Sequence, residues 1–349
     1  MGRVYLDWNA TAPLRPDARA AMISALDITG NPSSVHAEGR KARAIVERAR
    51  ADVAELVGCN ASEVVFTSGA TEAAGVLSRG GQICVEETAH DCVWAHHDLT
   101  PSEGSPTYAV GLANSETGVL TDVPSEGPWR YGEIACDWLF VDVVQAVGRV
   151  PWSFAWSGAT FAILSAHKIG GPKGVGALIV REGVDIGALQ LGGGQELGRR
   201  SGTENVAGIA GFGAAAKAAL AELNAGVWDN VEKLRNILEN TLAASAKETI
   251  FVGIDGPRLP NTSCFVTPGW KGETQVMQMD LAGYAVSSGS ACSSGKVKTP
   301  RVLAAMGLDD KAAEGALRVS LGPETTEQDV LGFAKAWLAA EEKFRRRAA

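Results

Sequence analysis

The sequence predicts an α/β protein with a mostly parallel sheet. Short apolar segments, among them residues 64–66 and 139–141, alternate along the middle of the chain with longer helical segments. Strands that are apolar on both faces are typical of parallel sheets covered by helices. The 349 residues and the hydrophobic content of 46% suffice for two domains with a large core.

Nine apolar segments predict strands, and three longer segments predict helices. The strands are predicted at residues 64–66, 83–85, 108–110, 139–141, 161–164, 177–180, 263–266, 284–286 and 317–319. The helices are predicted at residues 37–57, 208–223 and 227–246, the first of them ending at Gly58. Thr299 and Pro300 indicate the start of a further short helix, which Gly307 would end. We expect a larger domain at residues 13–226 and a smaller α+β domain formed by residues 1–12 and 227–349.

The charge and hydropathy of the chain argue against two classes of partner. The net charge is −8 and the sequence pI is about 5.3, which disfavours a surface that binds nucleic acid. The longest uncharged segment, residues 150–166, is shorter than the roughly 20 apolar residues of a membrane span. Arg3 and Asp7 interrupt the N-terminus before an apolar targeting segment forms. We therefore expect a cytoplasmic protein that contacts neither nucleic acid nor a membrane.

The cysteines show no metal-binding pattern. None of the six lies in a C-x-x-C pair, and no group of cysteines and histidines has the spacing of zinc ligands. Cys59, Cys84, Cys136 and Cys264 lie in or beside apolar segments and are interpreted as core residues or bystanders, whereas Cys92, two residues from His90, stays ambiguous. We expect no metal site.

Lys168 is the most informative residue of the chain. It ends the tetrapeptide Ser165-Ala-His-Lys168, which directly follows the apolar segment 161–164. A lysine at the carboxyl end of a buried strand can be desolvated and can form a Schiff base with a carbonyl. The carbonyl that this indicates is the aldehyde of pyridoxal phosphate. A surface lysine at the junction of a strand and a loop is the alternative, and the tetrapeptide alone does not decide between them.

Other predicted strand ends carry residues that suit the same cofactor, because ligands bind outside the carboxyl ends of open parallel sheets. Thr67-Ser-Gly-Ala-Thr-Glu72 is either a phosphate cradle or an ordinary capped turn. Asp142 is either the partner of a protonated pyridine nitrogen or an N-cap. Asn114 has an amide that can donate to a phenolate oxygen, and His90 can stack on a flat ring or have a structural role. Together these residues predict a pyridoxal phosphate enzyme.

Cys292 lies in a segment of different character, the Gly- and Ser-rich residues 287–295. Such a composition is flexible, so a thiol within it can be reached and can travel. Structural cysteines are buried in apolar surroundings, and the sequence around Cys292 offers none. We therefore interpret Cys292 as a reactive thiol.

From Tyr5 to Gly322 the chain resembles the cysteine desulfurases, which are class-V aminotransferases with the aspartate-aminotransferase fold. The matching stretches are residues 5–13, 30–36, 67–72, 141–145, 165–168, 192–196, 200–203 and 318–322. The loop Ser288-Gly-Ser-Ala-Cys292 resembles the long-loop branch that serves iron–sulfur assembly, including the nitrogen-fixation type. The resemblance implies fold type I of the pyridoxal phosphate enzymes, with a mostly parallel seven-stranded sheet in the large domain.

The resemblance also implies the reaction and the roles of single residues. L-cysteine would become L-alanine, with Lys168 and His90 as catalytic residues and Cys292 carrying the sulfur as a persulfide. The implied cofactor-binding residues are Ala70, Thr71, Asn114, Asp142, Gln145, Ser165, His167, Lys168 and Thr203. Arg318 and Asn114 would bind the substrate. Thr203 would act in trans in a homodimer, and the sulfur would pass to an acceptor or iron–sulfur scaffold protein.

Departures from the family pattern lie around the outer wall of the cofactor pocket. The segment between Glu72 and Asn114 is shorter than usual, and Ala89 and Ser115 replace the usual Glu and Asn. Selenocysteine or cysteine sulfinate as substrate, or a degenerate member acting as a scaffold, are the alternatives. The intact Lys168 argues against the scaffold.

Overall fold

The computed structural model describes residues 2–289 and 301–348, which contain ten α-helices and fourteen strands. The helices are Pro16–Leu26 (α1), Ala37–Val57 (α2), Ala70–Ala74 (α3), Asp91–Trp94 (α4), Val206–Asn224 (α5), Val227–Ser245 (α6), Gly272–Leu281 (α7), Arg301–Ala305 (α8), Asp310–Ala313 (α9) and Glu327–Ala348 (α10). The strands are Val4–Tyr5 (β1), Val64–Thr67 (β2), Ile83–Val85 (β3), Thr107–Gly111 (β4), Trp129–Tyr131 (β5), Ile134–Cys136 (β6), Trp138–Asp142 (β7), Phe161–Ser165 (β8), Gly176–Val180 (β9), Ile250–Phe251 (β10), Thr262–Val266 (β11), Tyr284–Ala285 (β12), Ser287–Ser288 (β13) and Ala316–Ser320 (β14).

The chain forms two compact units. The larger one consists of residues 12–112 and 121–224, and the smaller one of residues 1–11, residues 113–120 and the described residues from 225 onward. Residues 113–120, which the sequence-based boundaries assigned to the larger domain, therefore group with the smaller unit. Every predicted strand overlaps an observed one, and α2 has the predicted bounds, ending where Gly58 adopts a left-handed φ of 64°.

The larger unit is built on a six-stranded sheet in the order β2-β9-β8-β7-β4-β3. Strands β3, β4, β7 and β8 pair in parallel, while β9 runs antiparallel to both β8 and β2. The predicted mostly parallel sheet is thus present. The carboxyl ends of the four parallel strands meet at one edge, which is where open α/β sheets bind ligands.

Successive residues of the central strands are buried on opposite faces of this sheet. Leu139 and Val141 of β7 pack with α2 and α5 on one face, whereas Phe140 between them packs with the residues of α3 on the other. Since side chains alternate across a strand, two apolar faces require the continuous apolar runs seen in the sequence. The sheet is therefore the middle layer of three.

Helix α5 is apolar enough, and long enough, to span a membrane by composition alone. It packs against α1 and α2, and half of its most apolar window is buried inside the protein. Its small residues explain how closely these helices approach. A Cβ atom at Gly213 would lie 2.6 Å from the backbone of Ala49. We interpret α5 as a core helix of the larger unit.

The described sheet has one strand fewer than the seven predicted, and the spacing of β3 and β4 gives the reason. Only residues 86–106 separate these two parallel strands. Each parallel connection needs about a dozen residues or more, so this segment cannot hold a further parallel strand with two connections.

Strand β3 is consequently an edge strand, and other groups satisfy its backbone. Ile83 and Asp98 exchange two backbone hydrogen bonds, of 2.8 and 3.0 Å. The Val85 N–H donates to Nδ1 of His97 at 3.1 Å. The His97 ring stacks on Trp94, with 4.6 Å between ring centroids, and meets Tyr131 edge-on. These contacts occupy backbone groups that an open edge strand would offer to another chain.

The smaller unit has a four-stranded antiparallel sheet in the order β10-β11-β14-β13 and a short parallel pair, β1 with β12. Its core is aromatic. Trp337 is fully buried, packs edge-on against Phe265 and donates from Nε1 to Gln275 at 3.0 Å. Helix α8 lies within the predicted helix, whose proposed start at Thr299 lies outside the described residues.

We expect the replacement of His97 by alanine to lower the free energy of unfolding by about 1–3 kcal/mol, because the Val85 N–H loses its acceptor. Urea unfolding measures the change. His96→Ala is the matched control, since Nδ1 of His96 lies 3.3 Å from the Ser78 hydroxyl instead of a backbone N–H. An equal loss of stability in both variants would contradict the capping role.

Candidate active site

The carboxyl edge of the sheet holds several of the predicted site residues. Asp142 is the last residue of β7, and Ser165 is the last residue of β8. A single 3₁₀ turn, Ala166–Lys168, follows β8 directly and ends at the predicted cofactor lysine. His90 follows β3 and caps the N-terminus of α4. These residues thus lie at one edge of the sheet, at or after the ends of strands that pair in parallel.

Asp142 is a buried carboxylate, with 8% of its surface exposed. Its Oδ1 accepts a hydrogen bond of 2.9 Å from the Val144 N–H. Burial raises the pKa of Asp142, while His90, the Val144 N–H and Lys168 act in the opposite direction. A buried carboxylate needs a positive partner to remain charged. The site therefore fits a group such as a protonated pyridine nitrogen.

The contacts of its Nδ1 atom decide which nitrogen of the neutral His90 ring carries the proton. Nδ1 accepts a hydrogen bond of 3.2 Å from the Cys92 N–H and lies 3.1 Å from the Cys92 Sγ. Because a backbone N–H is a donor, Nδ1 must be the acceptor, and Nε2 carries the proton of the neutral ring. The ring is exposed, as is required of a residue that stacks on a ligand.

Gln145 is buried three residues beyond Asp142, and an arginine that contacts it was not predicted from the sequence. Its Oε1 accepts a hydrogen bond of 2.6 Å from Nη1 of Arg149. Nη2 of the same arginine donates to the backbone carbonyl of Lys168 at 3.2 Å. Arg149 is buried, with 4% of its surface exposed. The sequence signal that could have indicated its role is a charged residue inside an otherwise apolar turn.

The predicted phosphate residues lie on the turns after β2 and β8. Ala70 and Thr71 begin α3, directly after Gly69. Strand β9 passes close to Gly69, because a Cβ atom at Gly176 of β9 would lie 2.7 Å from Gly69. His167 lies in the 3₁₀ turn after β8. Burial, followed by repulsion from Lys168 and Lys173, lowers the pKa of His167 to about 4. At neutral pH its ring is therefore uncharged and has one N–H to donate.

Thr203 is exposed on a loop that a buried ion pair holds in place. Glu196 accepts hydrogen bonds of 2.7 and 2.8 Å from Arg50 and one of 2.9 Å from the Phe66 N–H. Glu196 and Leu197 adopt left-handed backbone angles, with φ of 50° and 57°. A cavity of about 210 Å³ lies beside Thr203, lined also by Ser68 and other residues of the larger unit. This ion pair was not predicted from the sequence.

In the smaller unit, Arg318 has a buried guanidinium that is only partly satisfied. Nη2 donates to Asp7 Oδ1 at 2.8 Å, and Nη1 donates to the Ser115 carbonyl at 2.9 Å. The Nε–H is buried and has no hydrogen-bond partner among the described residues. An unpaired buried donor on a cation fits an anionic ligand such as a carboxylate.

Asn114, also in the smaller unit, has an amide whose orientation is fixed by its neighbours. Its Oδ1 accepts hydrogen bonds from the backbone N–H groups of Glu116 and Thr117, both at 2.9 Å. Nδ2 is therefore the donor side of the amide, as the predicted contact with a phenolate oxygen requires. Cys292 lies outside the described residues, 2–289 and 301–348.

The chain is similar to known proteins over nearly its whole length. The model of the class-V aminotransferase family matches residues 4–97 and 102–333. A cysteine desulfurase of Cereibacter sphaeroides is 39% identical over 95% of this chain and 93% of its own length. The chain belongs to the cysteine desulfurases of the class-V aminotransferase family. The cysteine desulfurase IscS of Dictyoglomus turgidum is 33% identical over 94% of this chain and 91% of its own length.

Solved structures agree with this assignment. A NifS-like protein from Rickettsia africae has a TM-score of 0.86 at 29% identity and covers 97% of this chain and 99% of its own. The predicted family and its fold, type I of the pyridoxal phosphate enzymes, are confirmed, and so is the prediction of an enzyme that uses this cofactor. The names IscS and NifS also fit the predicted link with iron–sulfur assembly.

We expect Asp142→Asn to leave the cofactor-free protein at least as stable as the wild type at pH 8. The raised pKa means that the folded protein binds the Asp142 proton more tightly than the unfolded chain, whose Asp pKa is about 3.9. Stability is therefore lost as pH rises, and the advantage of Asn should shrink as pH falls toward about 4. Urea unfolding at both pH values measures it.

Asp137→Asn is the control, because Asp137 is an exposed aspartate next to the same strand. It should leave the free energy of unfolding unchanged at both pH values. If Asp142→Asn lowers the free energy of unfolding at pH 8, burial of the Asp142 carboxylate does not destabilise the folded protein, and the prediction is wrong.

Proposed function

We propose that this chain converts L-cysteine to L-alanine and transfers the sulfur to its own Cys292 as a persulfide. The observation that carries the proposal is the buried carboxylate of Asp142 beside Lys168 and His90, at the edge where parallel sheets bind ligands. Relatives named cysteine desulfurase, at 33–39% identity, support the substrate. They favour cysteine over selenocysteine or cysteine sulfinate, and an enzyme over a non-catalytic scaffold.

Most of the proposed pyridoxal phosphate ligands belong to the larger unit. Lys168 binds the cofactor through the side-chain amine, and Asp142 pairs with the ring nitrogen. The other proposed contacts are Gln145 and Asn114 near the ring hydroxyl, His90 over the ring, and Ala70, Thr71, Ser165 and His167 at the phosphate. When bound, the cofactor supplies an electron sink next to the substrate carbon. His90 can hold or move a proton at Nε2, because Nδ1 is held by the Cys92 N–H.

Arg318 and Cys292 act on the substrate itself. The guanidinium of Arg318 binds the substrate carboxylate, for which its unpaired Nε–H is a suitable donor. The Cys292 thiolate attacks the substrate sulfur, so that an S–S bond forms and the C–S bond breaks. The electron pair of the C–S bond stays with the carbon skeleton, which takes up protons and leaves as alanine.

The proposed assembly is a cytoplasmic homodimer in which Thr203 reaches the phosphate of the partner's cofactor. Support comes from the position of Thr203, which is exposed on a loop that the Arg50–Glu196 pair holds in place. The persulfide passes to an acceptor protein, and an iron–sulfur scaffold is the acceptor that the IscS and NifS names of relatives support.

Purified protein supplied with pyridoxal phosphate, cysteine and a thiol reductant should release alanine and sulfide in equal amounts. Borohydride reduction should fix the cofactor on the peptide that contains Lys168, and Lys168→Ala should abolish both the labelling and turnover. Lys173→Ala, a change at an exposed lysine of the same loop, is the control and should keep both. Label on a peptide without Lys168 would refute the assignment.

Cys292→Ala should still bind pyridoxal phosphate but release essentially no sulfide, because chemistry at the cofactor does not need this thiol. Persulfide-selective labelling after addition of cysteine should lose its major peptide. Cys59→Ala is the control, since burial raises the pKa of the Cys59 thiol to about 12 and makes it a poor nucleophile. Unchanged sulfide release from Cys292→Ala would favour direct elimination and exclude the persulfide route.

A further inference from the structure

Arg149 links two segments of the larger unit that carry proposed cofactor ligands. It lies four residues after Gln145, on the turn that follows β7, and contacts both the Gln145 side chain and the Lys168 backbone, which belongs to the turn after β8. Gly148, directly before it, adopts a left-handed φ of 76°. One guanidinium thus spans the ends of two neighbouring parallel strands.

The contact decides which way the Gln145 amide faces. An arginine has N–H donors and no acceptor, so the Gln145 atom that lies 2.6 Å from Nη1 must be the carbonyl oxygen, Oε1. The Nε2 group, with its two N–H bonds, is then on the other side of the amide. Of the two orientations of this amide, only the one with Nε2 on the side away from Arg149 keeps the contact with Nη1 and leaves N–H donors to face a ring oxygen.

The burial of Arg149 makes this contact a strong constraint. The side chain is only 4% exposed, and a buried guanidinium that loses an acceptor pays a desolvation penalty. Its planar fork of donors can serve two acceptors at once, which a lysine ammonium on a flexible chain does less well. The amide of Gln145 and the carbonyl of Lys168 are therefore held at a fixed separation.

We propose that Arg149 is a positioning residue that holds the Gln145 amide with Nε2 toward the cofactor ring and ties it to the lysine turn. It acts through Gln145 and does not itself contact the substrate. The inference rests on the proposed function, in which Gln145 contacts pyridoxal phosphate. It goes beyond that function because it states why this amide has a single orientation.

A double-mutant cycle on cofactor affinity tests the inference. The variants are Arg149→Met, Gln145→Leu and the double variant, and the readout is the dissociation constant of pyridoxal phosphate, measured by fluorescence titration of the cofactor-free protein. Each single variant should raise this constant about three- to tenfold, as expected for one hydrogen bond. In the Gln145→Leu background, Arg149→Met should add no further loss, because the amide through which it acts is gone.

Arg181→Met is the matched control, because Arg181 also donates to two protein carbonyls, those of Ala159 and Phe154, and neither belongs to the proposed site. It should change the dissociation constant by less than about twofold. If Arg149→Met weakens binding equally in the wild-type and Gln145→Leu backgrounds, or if Gln145→Leu has no effect, Arg149 does not act through Gln145 and the inference is overturned.

Gln145→Glu gives an answer even if Arg149→Met does not fold. A carboxylate keeps the contact with Arg149 as a charge-assisted pair but has no N–H to offer the cofactor. We expect cofactor-free Gln145→Glu to unfold at the wild-type temperature or above, while its affinity for pyridoxal phosphate falls. A drop in the unfolding temperature of about 5 °C or more, typical of an unpaired buried carboxylate, would overturn the inference.

The proposed function is tested separately, by cofactor uptake and alanine formation in the wild-type protein. Wild-type protein that takes up the cofactor on Lys168 and forms alanine from cysteine leaves the function intact, whatever the cycle shows. Wild-type protein that binds no pyridoxal phosphate would refute the function itself. The two failures are therefore distinguishable.

Discussion

The carboxylate of Asp142 lies at the end of β7, in the middle of the larger sheet, with 8% of its surface exposed. It can be buried there because β7 has neighbours on both sides and apolar layers on both faces. Burial opposes its charge, and a cationic ligand is what would relieve that cost. The sheet, its two helical layers and the lysine turn after β8 thus hold one buried carboxylate at the edge where open α/β sheets bind ligands.

The other edge of the same sheet shows how a shortened chain remains a stable α/β layer. A further parallel strand would need connections that residues 86–106 cannot supply, so β3 is left at the edge. Two residues, His97 with its ring and Asp98 with its backbone, provide hydrogen-bond partners for the backbone of β3. The deviation from the family pattern therefore lies at the sheet edge and leaves Asp142 in a central strand.

The elements were predictable where local pattern decides, and the contacts were not. Continuous apolar runs located nine of the fourteen strands described, while five short ones were not predicted. Gly58 located the end of α2, because a left-handed cap is a local requirement. The apolar runs of the larger domain predicted six sheet strands, and all six are present. The seventh strand, which only the resemblance implied, is absent from the described sheet because residues 86–106 are too few to hold it. The role of Arg149 could not be predicted, since its partner at Lys168 is set by the register of two parallel strands, β7 and β8.

Three buried arginines make contacts that fix residues or segments of the proposed site. Arg50 holds Glu196 and with it the loop that carries Thr203, Arg149 holds Gln145, and Arg318 is held by Asp7. In each case two donors of the planar guanidinium face two acceptors, so both distance and orientation are set. Arg50 and Arg318 differ in whether a buried N–H donor remains without an acceptor. Arg50 meets both oxygens of one carboxylate, whereas Arg318 keeps a buried Nε–H without a partner among the described residues, and the latter is what a residue that binds a carboxylate requires.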